Sequence, residues 1–153
     1  MYMNKKLMFK GYLKLLVLAV LERGPQHAYG IIKELEKSSG FKPSPGALYP
    51  ILKKLLKEGL IEVEHRGGEP SSTRIYKLTN KGKEFLELRK PELDEALRVA
   101  RSWKKFQEIK GYRLFHVVDE LLDSIETLDE EKLSELKKLI AEFEINVLRI
   151  IEG

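Results

Sequence analysis

The sequence contains no cysteine, which removes disulfides, thiol chemistry and any zinc site built on thiolates. Its three histidines, His27, His65 and His116, lie far apart in the chain, so neither a metal site nor a cofactor is expected. Long apolar runs are also missing. The densest, Leu15 to Leu21, is followed by Glu22-Arg23-Gly24-Pro25, and it falls far short of the roughly 20 residues that cross a bilayer. No small-residue cleavage site follows it either. A cytoplasmic protein without a membrane partner is expected. Catalytic motifs are absent as well. Ser71 and Ser72 lie in a loop with nothing to mark a nucleophile, and the glycines form neither a GxGxxG nor a phosphate-cradling loop before a lysine. Asp119, Glu120 and Asp123 read as a solvated helix face rather than a general-acid pair. These absences argue against an enzyme. Asparagine and glutamine are rare beside lysine and glutamate, a balance found in thermophilic proteins.

What the sequence does have is charge, unevenly placed. The net charge of +4 is spread over 153 residues, a length that suits one compact domain or a small domain with a helical extension. Through Asn80 there are 14 Lys/Arg against 7 Asp/Glu, and from Lys81 onward 14 against 17. A basic front half and an acidic back half fit a polyanion-binding module joined to something else, and they equally fit ordinary surface variation.

The periodicity divides the chain in the same way. Tyr12 to Arg23 reads as a buried helix ended by Gly24-Pro25. A second helix is expected from about Ala28 to Ser38, with Tyr29, Ile32 and Leu35 inward and Gly40 closing it. Ser44-Pro45 is a helix start, a cap residue followed by proline at the first helical position. Leu48, Ile51, Leu52, Leu55 and Leu56 then make one apolar stripe that Gly59 ends. Pro50 conflicts with a regular helix here, because it has no N–H to donate. The period then drops to two at Ile61, Val63 and His65, the GGEPSS stretch is a loop, and Arg74 to Leu78 is the returning strand. Three helices followed by a hairpin is the winged-helix order.

Beyond Thr79 the pattern is helical, with breaks expected at Pro91 and Gly111. A further helix runs from about Tyr112 to Ile125. The last begins near Asp129, where Thr127 and Glu130 also have capping-box spacing. Its apolar positions Leu133, Leu136, Ile140, Phe143, Val147 and Ile150 step by 3, 4, 3, 4, 3, the seam spacing of a coiled coil, and form the expected homodimer interface. The fold class expected is mainly α with a small β-hairpin wing. Residues 1–80 would form a winged helix-turn-helix DNA-binding domain and residues 81–153 a helical dimerisation region.

With its apolar stripe inward, the third helix turns Gly46, Pro50, Lys53, Lys54 and Lys57 outward. In a helix-turn-helix this face enters the major groove of double-stranded DNA. The lysines suit phosphates, and they also suit an ordinary solvated face.

Three motifs bear on that choice. GALYPILKKLLKEGLI (46–61), AYGIIKEL (28–35) and TRIYKLTNKG (73–82) resemble, in order and separation, the recognition helix, the preceding helix and the returning wing strand of the PadR family of transcriptional regulators. The resemblance covers about residues 9–88. It implies a winged-helix domain, a dimerising helical C-terminus and, often, repression relieved by a small molecule. By the same resemblance Tyr49 matches a family tyrosine that touches the DNA backbone. Ser44 and Lys53 fall at contact positions beside Ala47, and Arg66 and Arg74 flank the wing, whose tip departs from a basic pattern at Glu69. No motif transfers an effector site. Trp103, Phe106, Tyr112 and Phe115 are the aromatic candidates for a small aromatic or amphipathic effector, and they also suit core or interface packing. The reading is a dimeric, sequence-specific repressor. The alternative is a winged-helix module that binds nucleic acid without sequence preference or serves as a protein-interaction platform.

Overall fold

A computed structural model describes residues 11–64 and 74–153. Its contacts divide the described chain into two units that meet at Gly111/Tyr112. The first contains α1 (Leu13–Glu22), β1 (Gln26–His27), α2 (Ala28–Ser39), α3 (Pro45–Lys57), β2 (Ile61–Glu64), β3 (Ile75–Leu78), α4 (Asn80–Leu88) and α5 (Lys90–Glu108). The second contains α6 (Arg113–Ser124), a 3₁₀ turn at Ile125–Thr127 and α7 (Glu130–Glu152). The fold is mainly α with a small antiparallel sheet, a winged helix-turn-helix followed by helices.

The apolar α1 is buried on nearly every side, with Val17 and Leu18 wholly inaccessible to solvent. Around it lie Ile31, Ile32 and Leu35 of α2, Leu48, Leu52 and Leu55 of α3, Leu86 of α4 and Ala96, Ala100 and Trp103 of α5. The small residues Ala96 and Ala100 let the α5 backbone approach the core closely, and Trp103 fills the space one turn further on. Emptying such a site costs about 2–5 kcal/mol for a leucine-to-alanine change.

Two expectations change in this unit. Tyr29 was expected on the inward face of α2 but is 56% exposed. It lies in the first turn, beyond the edge of the core, where the Lys33 ammonium sits 4.9 Å above its ring and His27 meets it edge-on. Ile31 takes the inward position instead. The sheet also has a third strand where the sequence suggested only a link. Gln26 and His27 pair with Tyr76 and Ile75, which puts β3 in the centre, flanked by β1 and β2.

The break expected at Pro91 falls at Arg89, between α4 and α5, with Pro91 in the first turn of α5. Pro is tolerated there because the N–H it lacks has no intrahelical partner. In the second unit α7 starts where expected, but Asp129 is its cap, accepting from Lys132 N at 2.8 Å. The Thr127 hydroxyl turns back and donates to the Ser124 carbonyl at 2.7 Å, which occupies it in closing the preceding turn.

The end of α3 is tied to α1 by charge. Lys14 Nζ lies 2.7 Å from Glu58 Oε2, and this hydrogen bond, with the positive charge of Lys14, Lys54 and Lys81 around it, holds the Glu58 carboxyl below its usual range. A carboxyl depressed by folding contributes stability above its unfolded pKa and loses it as pH falls through the folded one. Lys14→Met is therefore expected to lower the denaturant midpoint slightly at about pH 7, by under about 1 kcal/mol for a half-exposed pair. That deficit should vanish near pH 2, where the carboxylate is protonated. Equal deficits at both pH values would assign the loss to packing.

Candidate nucleic-acid interface

Helix α3 begins as the sequence indicates. Ser44 is extended at the N-cap, its hydroxyl accepts from Ala47 N at 3.2 Å, and Pro45 occupies the first turn. Pro50 lies inside the helix without ending it. It removes the N–H that would meet the Gly46 carbonyl. Both residues are exposed, so water can serve that carbonyl.

Burial sorts the helix into two faces. Leu48, Leu52 and Leu55 point inward, while Ser44, Gly46, Tyr49, Pro50, Lys53, Lys54 and Lys57 are exposed and Ala47 is half-buried. Tyr49 is 53% exposed. Among the described residues no carboxylate forms an ion pair with Lys53, Lys54 or Lys57. Three ammonium groups therefore stand on one helical surface without a salt bridge of their own, Lys54 alone lying within electrostatic reach of the Glu58 carboxylate.

The hairpin stands beside this helix. Its register sets Val63, Tyr76 and Gln26 in one row and Glu64, Ile75 and His27 in the next, with side chains on opposite sheet faces. Tyr76 is 4% exposed and Leu78 and Ile61 are buried, so that face covers the core. Arg74 precedes β3 and is exposed. Burial pushes the Tyr76 phenol up, Arg74 opposes the rise and Tyr49 adds to it. The sequence singled out Tyr49 and Arg74 but not Tyr76, although the alternation of Tyr76 with Leu78 marks it as inward-facing. Arg66 and Glu69 fall outside the described residues.

Residues 17–88 match the model of the transcriptional regulator PadR-like family. Over 87 residues the chain is 33% identical to the transcriptional regulator YqjI of Escherichia coli K12, a stretch amounting to 55% of this chain and 40% of that protein. A PadR-like transcription factor of Bacteroides fragilis, of known structure, is 32% identical, with 71% of this chain and 95% of that one covered and a TM-score of 0.46. The chain belongs to the PadR-like family. A transcriptional regulator from Clostridium thermocellum shares the fold at 22% identity and a TM-score of 0.51, over 62% of this chain and 95% of that one. PadR-like proteins are regulators of transcription, not enzymes. The matched part of this PadR-like chain runs from α1 through α4, and the chain spans 40% of the length of its curated E. coli relative.

The other candidate residues lie outside that stretch. Trp103 is buried in α5 with Phe106 at 5.3 Å between ring centroids. Tyr112 and Phe115 belong to the second unit, where Tyr112 meets His116 edge-on at 6.1 Å. In α7, Leu133, Leu136 and Val147 are half-buried, and Ile140, Phe143 and Ile150 are 56%, 52% and 77% exposed. Among the described residues no helix is long and apolar enough to cross a membrane.

Proposed function

We propose that the chain is a dimeric, sequence-specific DNA-binding repressor of the cytoplasm, relieved by a small aromatic or amphipathic effector, with Trp103, Phe106, Tyr112 and Phe115 each a candidate contact. Residues 1–80 read the DNA, residues 81–153 dimerise, and α3 lies in the major groove. The observation that carries this reading is the outward face of α3, where Lys53, Lys54 and Lys57 are exposed with Tyr49 and form no salt bridge; Arg74 is exposed at the start of the returning strand. Phosphates are the partners such a face lacks; Ser44 stands at its border, and Arg66 is proposed as a further contact.

Sequence preference then comes from lysine–guanine contacts, from Ala47, Gly46 and Pro50 against thymine methyls, and from duplex shape. The face carries no Arg, Asn or Gln to pair bidentately with a base. That keeps a second reading in play, binding without sequence preference. Selection of bound sequences from a random duplex pool separates the two: enrichment of an inverted repeat supports the first, and an unenriched pool supports the second.

Phosphate contact has its own test. Lys53→Ala, Lys57→Ala and Arg74→Ala are each expected to weaken binding to every duplex and to flatten the dependence of log K on log salt by about 0.9 per lost contact. Parental slopes in all three variants would remove α3 from the DNA.

A further inference from the structure

Helix α3 carries two residues that weaken a helix, Gly46 and Pro50, one turn apart on its exposed face. Nothing inside the protein asks for either. We propose that the Gly46 carbonyl, released from its helical bond by Pro50, is a base-reading acceptor that takes a hydrogen bond from the exocyclic amine of a cytosine or adenine in the major groove. This rests on the sequence-specific DNA reading above and adds a backbone group to it.

Pro50 supplies the first observation. It lies inside α3, well past the first turn that Pro45 occupies, so the tolerance of a helix start for proline does not reach it. A proline there has no N–H for the carbonyl one turn earlier, and its ring pushes that carbonyl aside. The carbonyl belongs to Gly46. Both residues are exposed, so the group tilts outward, as carbonyls on the open side of a helix do.

Gly46 supplies the second observation. Its φ is not among the positive values that glycine alone adopts freely. Beyond its own helix and chain neighbours, a Cβ there would meet no heavy atom nearer than Ser44 Oγ at 3.9 Å. Neither backbone conformation nor packing requires glycine, and alanine would suit the helix better. A glycine with no internal reason marks a place where another molecule comes close to the backbone. Where a local rule is broken without gain inside the fold, the gain is in function.

The two observations meet on one atom, and its chemistry selects the ligand. A carbonyl oxygen only accepts. In the major groove cytosine and adenine alone offer a donor, the N4 and N6 amines. The lysines of the same face only donate, which suits guanine and phosphate. An acceptor beside them stands in for the Asn or Gln side chain that the face lacks, and the missing Cβ lets a base edge come within hydrogen-bond range.

The test starts from the duplex that the parent chain selects out of a random pool. Bases without the amine are placed one at a time in a half-site, 2-aminopurine for adenine and 2-pyrimidinone for cytosine, with uracil for thymine as a methyl control. Binding is followed by anisotropy and folding by thermal unfolding. At one position the parent should lose several-fold in affinity when the amine is removed. Pro50→Ala, which returns an N–H to Gly46, should unfold at or above the parent temperature and bind the selected duplex several-fold more weakly. It should lose nothing further when that amine is removed. An equal loss in parent and variant, or a parental affinity of Pro50→Ala for the selected duplex, would overturn the proposal while leaving α3 on the DNA. So would a loss that follows uracil alone, which would assign Pro50 to a thymine methyl. A parent chain that enriches no sequence would overturn the sequence-specific reading, and this inference with it. Gly46→Ala covers the case in which Pro50→Ala unfolds early. Its methyl has room in the free protein, so it should melt no lower than the parent yet lose affinity for the selected duplex. Parental affinity there would show that no base approaches this carbonyl.

Discussion

Ile140→Asp is expected to give a single-chain mass by light scattering at micromolar concentration and to lose specific DNA binding in the same step. The second unit has no buried side chain in either of its helices. Ile140, Phe143 and Ile150 are more than half exposed, as are Val117, Leu139, Ile145 and Ile151 elsewhere on α6 and α7. Apolar surface on that scale marks an interaction site, and the 3-4 spacing of the α7 seam fits a second copy of itself. Burying one isoleucine side chain contributes about 1.5–3 kcal/mol. In a two-fold dimer Ile140 occurs twice, and an aspartate there would also leave two carboxylates without partners in an apolar seam. DNA binding falls with it because two half-sites must be engaged together, and a lone reader keeps only its own modest contacts. A dimeric Ile140→Asp would move the interface off this seam. A monomer that still binds an inverted repeat at parental affinity would detach dimerisation from recognition.

Gly82→Ala should be the most damaging single-methyl change in the winged-helix unit. A Cβ at this position would overlap the Leu60 carbonyl oxygen and come within 2.6 Å of Leu78 Cδ1. The carbonyl already accepts from Thr79 N at 3.1 Å. The Thr79 hydroxyl in turn donates to the Gly59 carbonyl at 2.7 Å and accepts from Gly82 N at 3.0 Å. Room for the methyl can come only by separating the start of α4 from the β2–β3 hairpin, which strains all three bonds. Alanine would gain up to about 1 kcal/mol in helix propensity, but overpacking against backbone costs about 1–3 kcal/mol or more, so the net change is a loss. A melting temperature several degrees below the parent is expected, and a rise would show that the joint yields. Thr79→Ala, which removes the bonds without the clash, separates the two contributions.

Much of this architecture was legible in the chain because each feature depends on local chemistry. The Ser44-Pro45 start, the leucine stripe of α3 and the change to two-residue alternation at Ile61 all act within a few residues, and they place α3 and the hairpin correctly. What escaped depends on partners distant in sequence. Gln26-His27 has no strand signature of its own and becomes β1 only because β3 offers it an edge. Tyr29 looked inward by spacing, yet nothing packs over the start of α2 there, so the ring stays in water against Lys33. The cap at Asp129 competed locally with Thr127, and backbone geometry chose the residue already extended.

The short third strand has a consequence for how the protein behaves in a crowded solution. With β1 on one flank, the central strand is covered on that side at Ile75 and Tyr76, and among the described residues the sheet has two outer borders. One is two residues long, too brief to template a growing ladder. The other is β2, where Glu62 and Glu64 alternate along the strand. Two copies meeting border to border there would bring carboxylates together, and like charges facing each other across a strand pair oppose association. The sheet is therefore a poor seed for fibrils on either of these borders.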